Sequence, residues 1–231
     1  MRTYKKIIKD STFFPISLFE LNELNKICTV AKRLDNRNAI PATSSNFSIR
    51  AKKENAFLIT KSGIHKRNLN PTHFIRANLF GKPLHPISPK PSDETLLHAM
   101  IYRNFNEAHS VIHCHAPELE SISLLNCEIL KQDKNESEYL TCGYYKIKGH
   151  EVLKALGFKT HLEDYFLPVI KNDQNMEKLS HLIEYYFFKH QQKLPICAFH
   201  IENHGIYCFG NSVPQAELRI EAILHLLSYL K

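Results

Sequence analysis

The stretch SVIHCHAPELE, residues 110–120, decides how this chain is read. Its β-branched Val111 and Ile112 favour a strand, and Pro117 suits the first turn of a short helix after it. Successive side chains of a strand point to opposite faces, so His113 and His115 share one side while Ile112 and Cys114 share the other. Two adjacent imidazoles can begin a metal site, but a catalytic ion takes three protein ligands and keeps one position open. Taken alone, the pair can equally be two of the fourteen histidines in the chain.

A third imidazole comes from further along. CAFHIENHGIYCFG, residues 197–210, reads as two short strands around a turn, with His204 at the turn and Gly205 freeing the backbone after it. A plain polar turn histidine would serve that stretch as well.

Working outward, residues 16–34 carry Leu18, Leu21, Leu24, Ile27, Cys28 and Ala31 at helical spacing. ATSSNFSIR then turns from small polar residues into a strand, and AFLIT, residues 56–60, is the next one. Four prolines between Pro83 and Pro91 forbid regular structure and predict a rigid loop. Ser92 is the expected N-cap of the following helix, with Asp93 and Glu94 in its first turn and Leu96, Leu97, Met100 and Ile101 as its buried stripe. EVLKALG is a helical piece ended by Gly157, YFLPVI a strand, MEKLSHLIEYYFFKHQQ a long amphipathic helix, and Pro214 opens the last helix. Strands mixed with helices throughout predict an α/β domain, a sheet covered by helices, over residues 1–231.

The totals narrow the function classes. A 231-residue chain that is 43% hydrophobic can bury a sizeable core, and its apolar runs are far shorter than the roughly 20 residues of a membrane span. Residues 1–14 show no continuous apolar stretch of a signal peptide, so a cytoplasmic protein is expected, without a membrane. The six cysteines form no CxxC pair, which fits reduced thiols. The net charge of +7 is spread over dispersed lysines without interleaved aromatics, which argues against a nucleic-acid partner and suits a small phosphorylated substrate.

PATSSNFSIR, ITKSGIHK, KPSDETLLHAMIYR, VIHCHA, GHEVLKALG, LPVIKNDQ and NHGIYCFG occur in the order and approximate spacing of the class II aldolase and adducin head family. The chain resembles that family over about residues 15–230, most of all its dehydratase branch. The resemblance implies a three-layer α/β/α fold with a mostly antiparallel central sheet and a homotetramer with active sites near subunit interfaces. It also implies one Zn2+ per subunit, held by His113, His115 and His204. The implied reaction is dehydration of 5-methylthioribulose 1-phosphate to a 2,3-diketone in methionine salvage. Glu151 matches the branch's catalytic base; an ordinary helix charge paired with Lys154 three residues on is its plainer reading. Glu94 lies where related aldolases carry an acid/base; its plainer reading is a first-turn acid complementing the helix dipole.

The loops Thr43, Ser44, Ser45, Asn46 and Lys61, Ser62, Gly63, with Ser92, resemble the family's phosphate pocket. Small residues there let backbone N–H groups approach an anion. Ser45 replaces the usual glycine, which would narrow the pocket or impose a costly backbone conformation, and His65 and Arg67 depart from the second loop. The alternatives are a class II sugar-phosphate aldolase or epimerase, and a non-catalytic adducin-like binding module.

Overall fold

The computed structural model describes residues 16–52, 55–86, 88–130, 142–189 and 195–229. The chain start read for a signal peptide, and the last residues of the long helix expected to run to residue 192, lie outside these. The first helix, α1 (Leu18–Asn36), opens on Ser17, whose hydroxyl accepts from Glu20 N–H while the Glu20 carboxylate accepts from Ser17 N–H, a reciprocal capping box. Its periodic Leu21, Leu24, Ile27 and Leu34 are buried.

Among the described residues nine strands follow: β1 (Asn46–Arg50), β2 (Ala56–Thr60), β3 (Phe74–Asn78), β4 (Ser110–Cys114), β5 (Glu128–Leu130), β6 (Cys142–Ile147), β7 (Tyr165–Ile170), β8 (Ala198–Ile201) and β9 (Gly205–Gly210). They form one sheet in the order β3-β2-β1-β4-β9-β8-β7-β6-β5, and every pairing is antiparallel except β7 with β8. The α-helices between them are α2 (Thr95–Asn104) and α3 (Met176–Ile183), and α4 (Val213–Ser228) follows β9.

The two faces of the sheet bury different helices. Phe47, Ile49, Ile112, Cys114, Ile206 and Cys208 pack with α1 and α4. Phe57, Val111, Tyr207 and Phe209 pack with Leu97 and Ile101 of α2 and Leu179 and Ile183 of α3. This is the expected three-layer α/β/α arrangement with a mostly antiparallel sheet. The alternation read from VIHCH holds: Ile112 and Cys114 enter the α1/α4 core, leaving His113 on the α2 side.

Two boundaries differ from expectation. Ser92 does not cap α2; the helix starts at Thr95 with Glu94 as N-cap, and no side-chain cap bond is made. Ser92 is tied instead to the sheet, its N–H donating to Thr60 O at 3.2 Å, while Thr95 N–H donates to the Ser92 carbonyl at 3.1 Å. That closes a turn before the helix, so Asp93 and Glu94 precede its first turn. The long amphipathic helix changes after Ile183 into π-helical winding over Glu184–Lys189, where adjacent Phe187 and Phe188 are both buried. Among the described residues no helix is long and apolar enough to cross a membrane, and all six cysteines are free thiols.

Candidate metal centre and active site

The three histidines singled out in the sequence come together. His113 stands next to the last residue of β4, and His115 just beyond the strand is anchored by its own N–H, which donates to Ala39 O at 2.8 Å. His204 arrives from the β8–β9 turn, where Asn203 takes the positive φ of 55° and Glu202 pins the turn by accepting from Ser123 Oγ and Leu124 N–H at 2.9 Å each. Each ring offers one nitrogen, and the three lie within 4.8 Å of one another.

Gly205 is required here for another reason than backbone freedom. A Cβ built on it would stand 2.5 Å from Cys114 O and 2.7 Å from His113 Cε1. Glycine lets β9 lie against the edge of the His113 ring.

The hydrogen bonds decide which nitrogens face the centre. His113 Nδ1 contacts Ile206 O at 3.0 Å, and a carbonyl only accepts, so Nδ1 carries the proton and Nε2 the lone pair. His204 Nδ1 contacts Asn172 Oδ1 at 3.4 Å. Burial drives the His113 pKa far below its ordinary value and lowers that of His115, so both rings are neutral at neutral pH. His113 Nε2 is buried and, although 3.1 Å from Glu94 Oε2, lacks hydrogen-bond geometry to it. A fully buried lone pair aimed at a carboxylate, flanked by two further imidazoles that converge on it, is the donor set a divalent cation satisfies. The residues present therefore fit a metal ion.

Glu94 stands at this centre. Its Oε1 is 3.0 Å from His204 Nε2, and its Oε2 accepts from Asn46 Nδ2 at 2.7 Å and from the Tyr207 hydroxyl at 2.5 Å. Burial alone would raise its pKa, but the hydrogen bonds from His204 and the Tyr207 hydroxyl outweigh it and hold the carboxyl well below the usual range. Its reading as a helix-dipole acid is replaced by a side chain bonded across to β1 and β9. Tyr207, which the sequence reading missed, also stacks on His113 at 4.1 Å and 12° and on Phe199 at 4.9 Å, fixing the plane of the His113 ring. Period-two spacing from Gly205 marks it, since the register sets Tyr207 opposite His113.

Glu151 is elsewhere. It begins a short 3-10 helix, Glu151–Leu156, is 64% exposed, and its carboxylate is 2.6 Å from Lys154 Nζ and 2.9 Å from His161 Nδ1. Lys154 and His161 lower its pKa. Its partners are these two side chains, and the carboxylate among the three histidines is that of Glu94.

The loops expected to bind phosphate are brought side by side. Ser62 N–H donates to Lys90 O at 3.1 Å, Lys61 bridges to Pro91, and Ser92 Oγ accepts from Asn46 Nδ2 at 3.1 Å. Lys61 Nζ donates to Thr72 O at 2.6 Å, and Gly63 has a φ of 70°. Ser45, in the place of the family's glycine, is held at a φ of 70°, with its hydroxyl buried and without a partner among the described residues. Lys66, also missed, is 2% exposed and bonds Thr43 O at 3.0 Å and Ile64 O at 2.8 Å. Burial pushes its pKa down to about 8 against the pull of Glu94. Arg67 points outward to Asp35, 3.5 Å away.

Comparison with known proteins places this geometry. Residues 25–229 match the Class II Aldolase and Adducin N-terminal domain. Methylthioribulose-1-phosphate dehydratase of Granulibacter bethesdensis is 35% identical over 202 residues, covering 87% of each chain. The enzyme of the same name from Methylococcus capsulatus is 37% identical over 194 residues, 84% of this chain and 85% of that one. Among solved structures, L-fuculose-1-phosphate aldolase from Thermus thermophilus superposes with a TM-score of 0.61 at 20% identity, covering 89% of this chain and 92% of that one. A sugar-phosphate aldolase from Thermotoga maritima gives 0.61 at 18% identity, covering 90% and 93%. The two solved structures support the fold.

Proposed function

The chain belongs to the class II aldolase and adducin family, and on that premise we propose that it is a zinc-dependent hydro-lyase that converts 5-methylthioribulose 1-phosphate to 2,3-diketo-5-methylthiopentyl 1-phosphate in methionine salvage. The observation that carries this reading is the meeting of His113, His115 and His204 with the ionised Glu94, in a chain whose dehydratase relatives match most of its length.

His113, His115 and His204 would hold the zinc, which supplies a Lewis acid for the negative charge that develops on the C2 and C3 oxygens. The remaining steps belong to side chains. A base removes the C3 proton, the C4–O bond breaks as that oxygen takes up a proton and leaves as water, and the resulting enol loses its C3 hydroxyl proton as it takes one at C4 to give the diketone. Glu94 and Glu151 both have lowered pKa values, so each starts as a base and must gain a proton before giving one. We assign the C3 proton to Glu151 and the second acid/base role to Glu94. Since the carboxylate of Glu151 is exposed and paired with Lys154 and His161, it acts in the site of a neighbouring subunit of a homotetramer. Mixing inactive Glu151→Gln chains with inactive His113→Ala chains then restores part of the activity, whereas a base acting within its own subunit leaves the mixture dead.

The loops of Thr43, Ser44, Ser45 and Asn46 and of Lys61, Ser62 and Gly63, with Ser92, take the phosphate, and the buried Lys66 cation supplies countercharge. The orphan Ser45 hydroxyl supports this, being a buried donor that a phosphate oxygen would satisfy. Incubation of the zinc-loaded protein with 5-methylthioribulose 1-phosphate yields the diketone and water; dihydroxyacetone phosphate with an aldehyde would identify an aldolase instead.

A further inference from the structure

Below Glu94 a chain of side chains runs into the core between α2 and β1. Glu94, His98 and Tyr102 stand four residues apart on one side of the helix, and Asn46 and Ser48 stand two apart on one face of the strand. Four helical residues advance about 6.0 Å and two strand residues about 6.7 Å, so the two rows stay in step over three rungs. Asn46 fits between Glu94 and His98, and Ser48 between His98 and Tyr102: His98 Nε2 contacts Asn46 Oδ1, His98 Nδ1 is 2.7 Å from Ser48 Oγ, and Ser48 Oγ is 2.8 Å from the Tyr102 hydroxyl. Asn46 is 2% exposed, and Ser48, His98 and Tyr102 are wholly buried.

The Asn46 amide sets the direction of every bond. Its nitrogen donates to Glu94 Oε2 and to Ser92 Oγ, which turns its oxygen to His98. That oxygen only accepts, so His98 carries its proton on Nε2 and leaves Nδ1 bare. Ser48 must then give its single proton to Nδ1, and Tyr102 must donate to Ser48. All donors point towards Glu94, an arrangement in which each bond strengthens the next. Burial lowers the His98 pKa to about 3 and raises that of Tyr102 well above its ordinary value, so both links stay neutral.

We propose that His98 is a positioning residue that fixes the amide of Asn46 and, through it, aims the Glu94 carboxylate at the reacting end of the site. The assignment rests on Glu94 handling substrate protons in the reaction proposed above. It gives Asn46 a task besides phosphate binding, since its amide nitrogen is taken by Glu94 and Ser92 and its oxygen by His98.

Two substitutions separate positioning from mere packing. His98→Gln places an amide nitrogen near the former Nε2 and can still donate to Asn46; His98→Asn places its nitrogen near the former Nδ1 and leaves Asn46 Oδ1 without a donor. In the zinc-loaded full chain, His98→Asn is expected to lower kcat about tenfold or more with KM and bound zinc changed less than about twofold, and His98→Gln to stay within about threefold of the parent. Full kcat in His98→Asn, or equal losses in both variants that track a fall in melting temperature, overturns the proposal. Nitrogen-15 NMR of the unsubstituted protein gives a readout independent of turnover: His98 is expected protonated on Nε2 and bare on Nδ1, and the opposite tautomer or an imidazolium overturns the chain. Should the unsubstituted protein make no diketone, the dehydratase reading fails while the tautomer still decides the positioning chain.

Discussion

Glu151, expected as the catalytic base, and Glu94, expected as a second acid/base, are the two carboxylates that the sequence offers, and the structure puts them in opposite surroundings. Glu94 is held by Asn46, His204 and Tyr207 against the histidine cluster, whereas Glu151 is exposed on a short helix with Lys154 and His161. A motif identifies which residue type stands at a position; its environment is set by what the topology brings across from other strands. For Glu94 the deciding partners are Asn46, 48 residues before it, and Tyr207, 113 residues after it.

The largest expected effect comes from removing the histidine cluster itself. His113→Ala should abolish bound metal and reduce turnover by more than about a thousandfold, measured by metal analysis beside product assay. Retained stoichiometric metal would detach Glu94 from any metal centre. Next, Glu94→Gln and Glu151→Gln should each lower kcat by roughly 10²–10⁴-fold with metal retained. Loss of rate in one and not the other would name the working base and break the assignment of two roles.

The buried half of the contrast can also be tested through stability. Gly205→Ala drives a methyl group into Cys114 O and the His113 ring and should cost about 2–4 kcal/mol in urea unfolding, with metal affinity reduced. In acid the sign follows from the fully buried His98, lowered to about 3, and the nearly fully buried His200, lowered to about 4. Below about pH 6.5 the unfolded chain binds protons that the folded chain refuses, so stability falls as pH falls from 6.5 towards 4, by roughly 1.4 kcal/mol per pH unit for each ring. Melting curves that are flat across that window would show that these rings protonate in place. The smallest effect is at Ser45. Returning glycine to its left-handed position relieves strain and an orphan hydroxyl, so Ser45→Gly should stabilise the free protein by about 1 kcal/mol. The same change should raise KM for the phosphorylated substrate if that hydroxyl binds it.

The sheet and the histidine cluster were legible because period-two alternation and a turn between two strands are local patterns, and VIHCH and ENHGIYC carry them intact. The start of α2 was misread because Ser92, expected as a cap, is held by Thr60 and Asn46 of neighbouring strands, which no local rule records. The need for glycine at 205 was visible, but its cause lay in the approach of β9 to β4. His98 and Tyr102 did carry a signal, standing four and eight residues after Glu94 on one helical face, hidden because the leucines beside them explained the helix alone. Lys66 gave none, since its burial depends on loops folding over it from residues 43 and 64.

The central claim is that three imidazoles from β4, its end and the β8–β9 turn bind one cation beside Glu94. Anomalous diffraction at the zinc edge from crystals of the purified protein tests it most directly. One peak per chain within bonding distance of His113, His115 and His204 is the expected result; no peak there, or a peak bound by other residues, would contradict it.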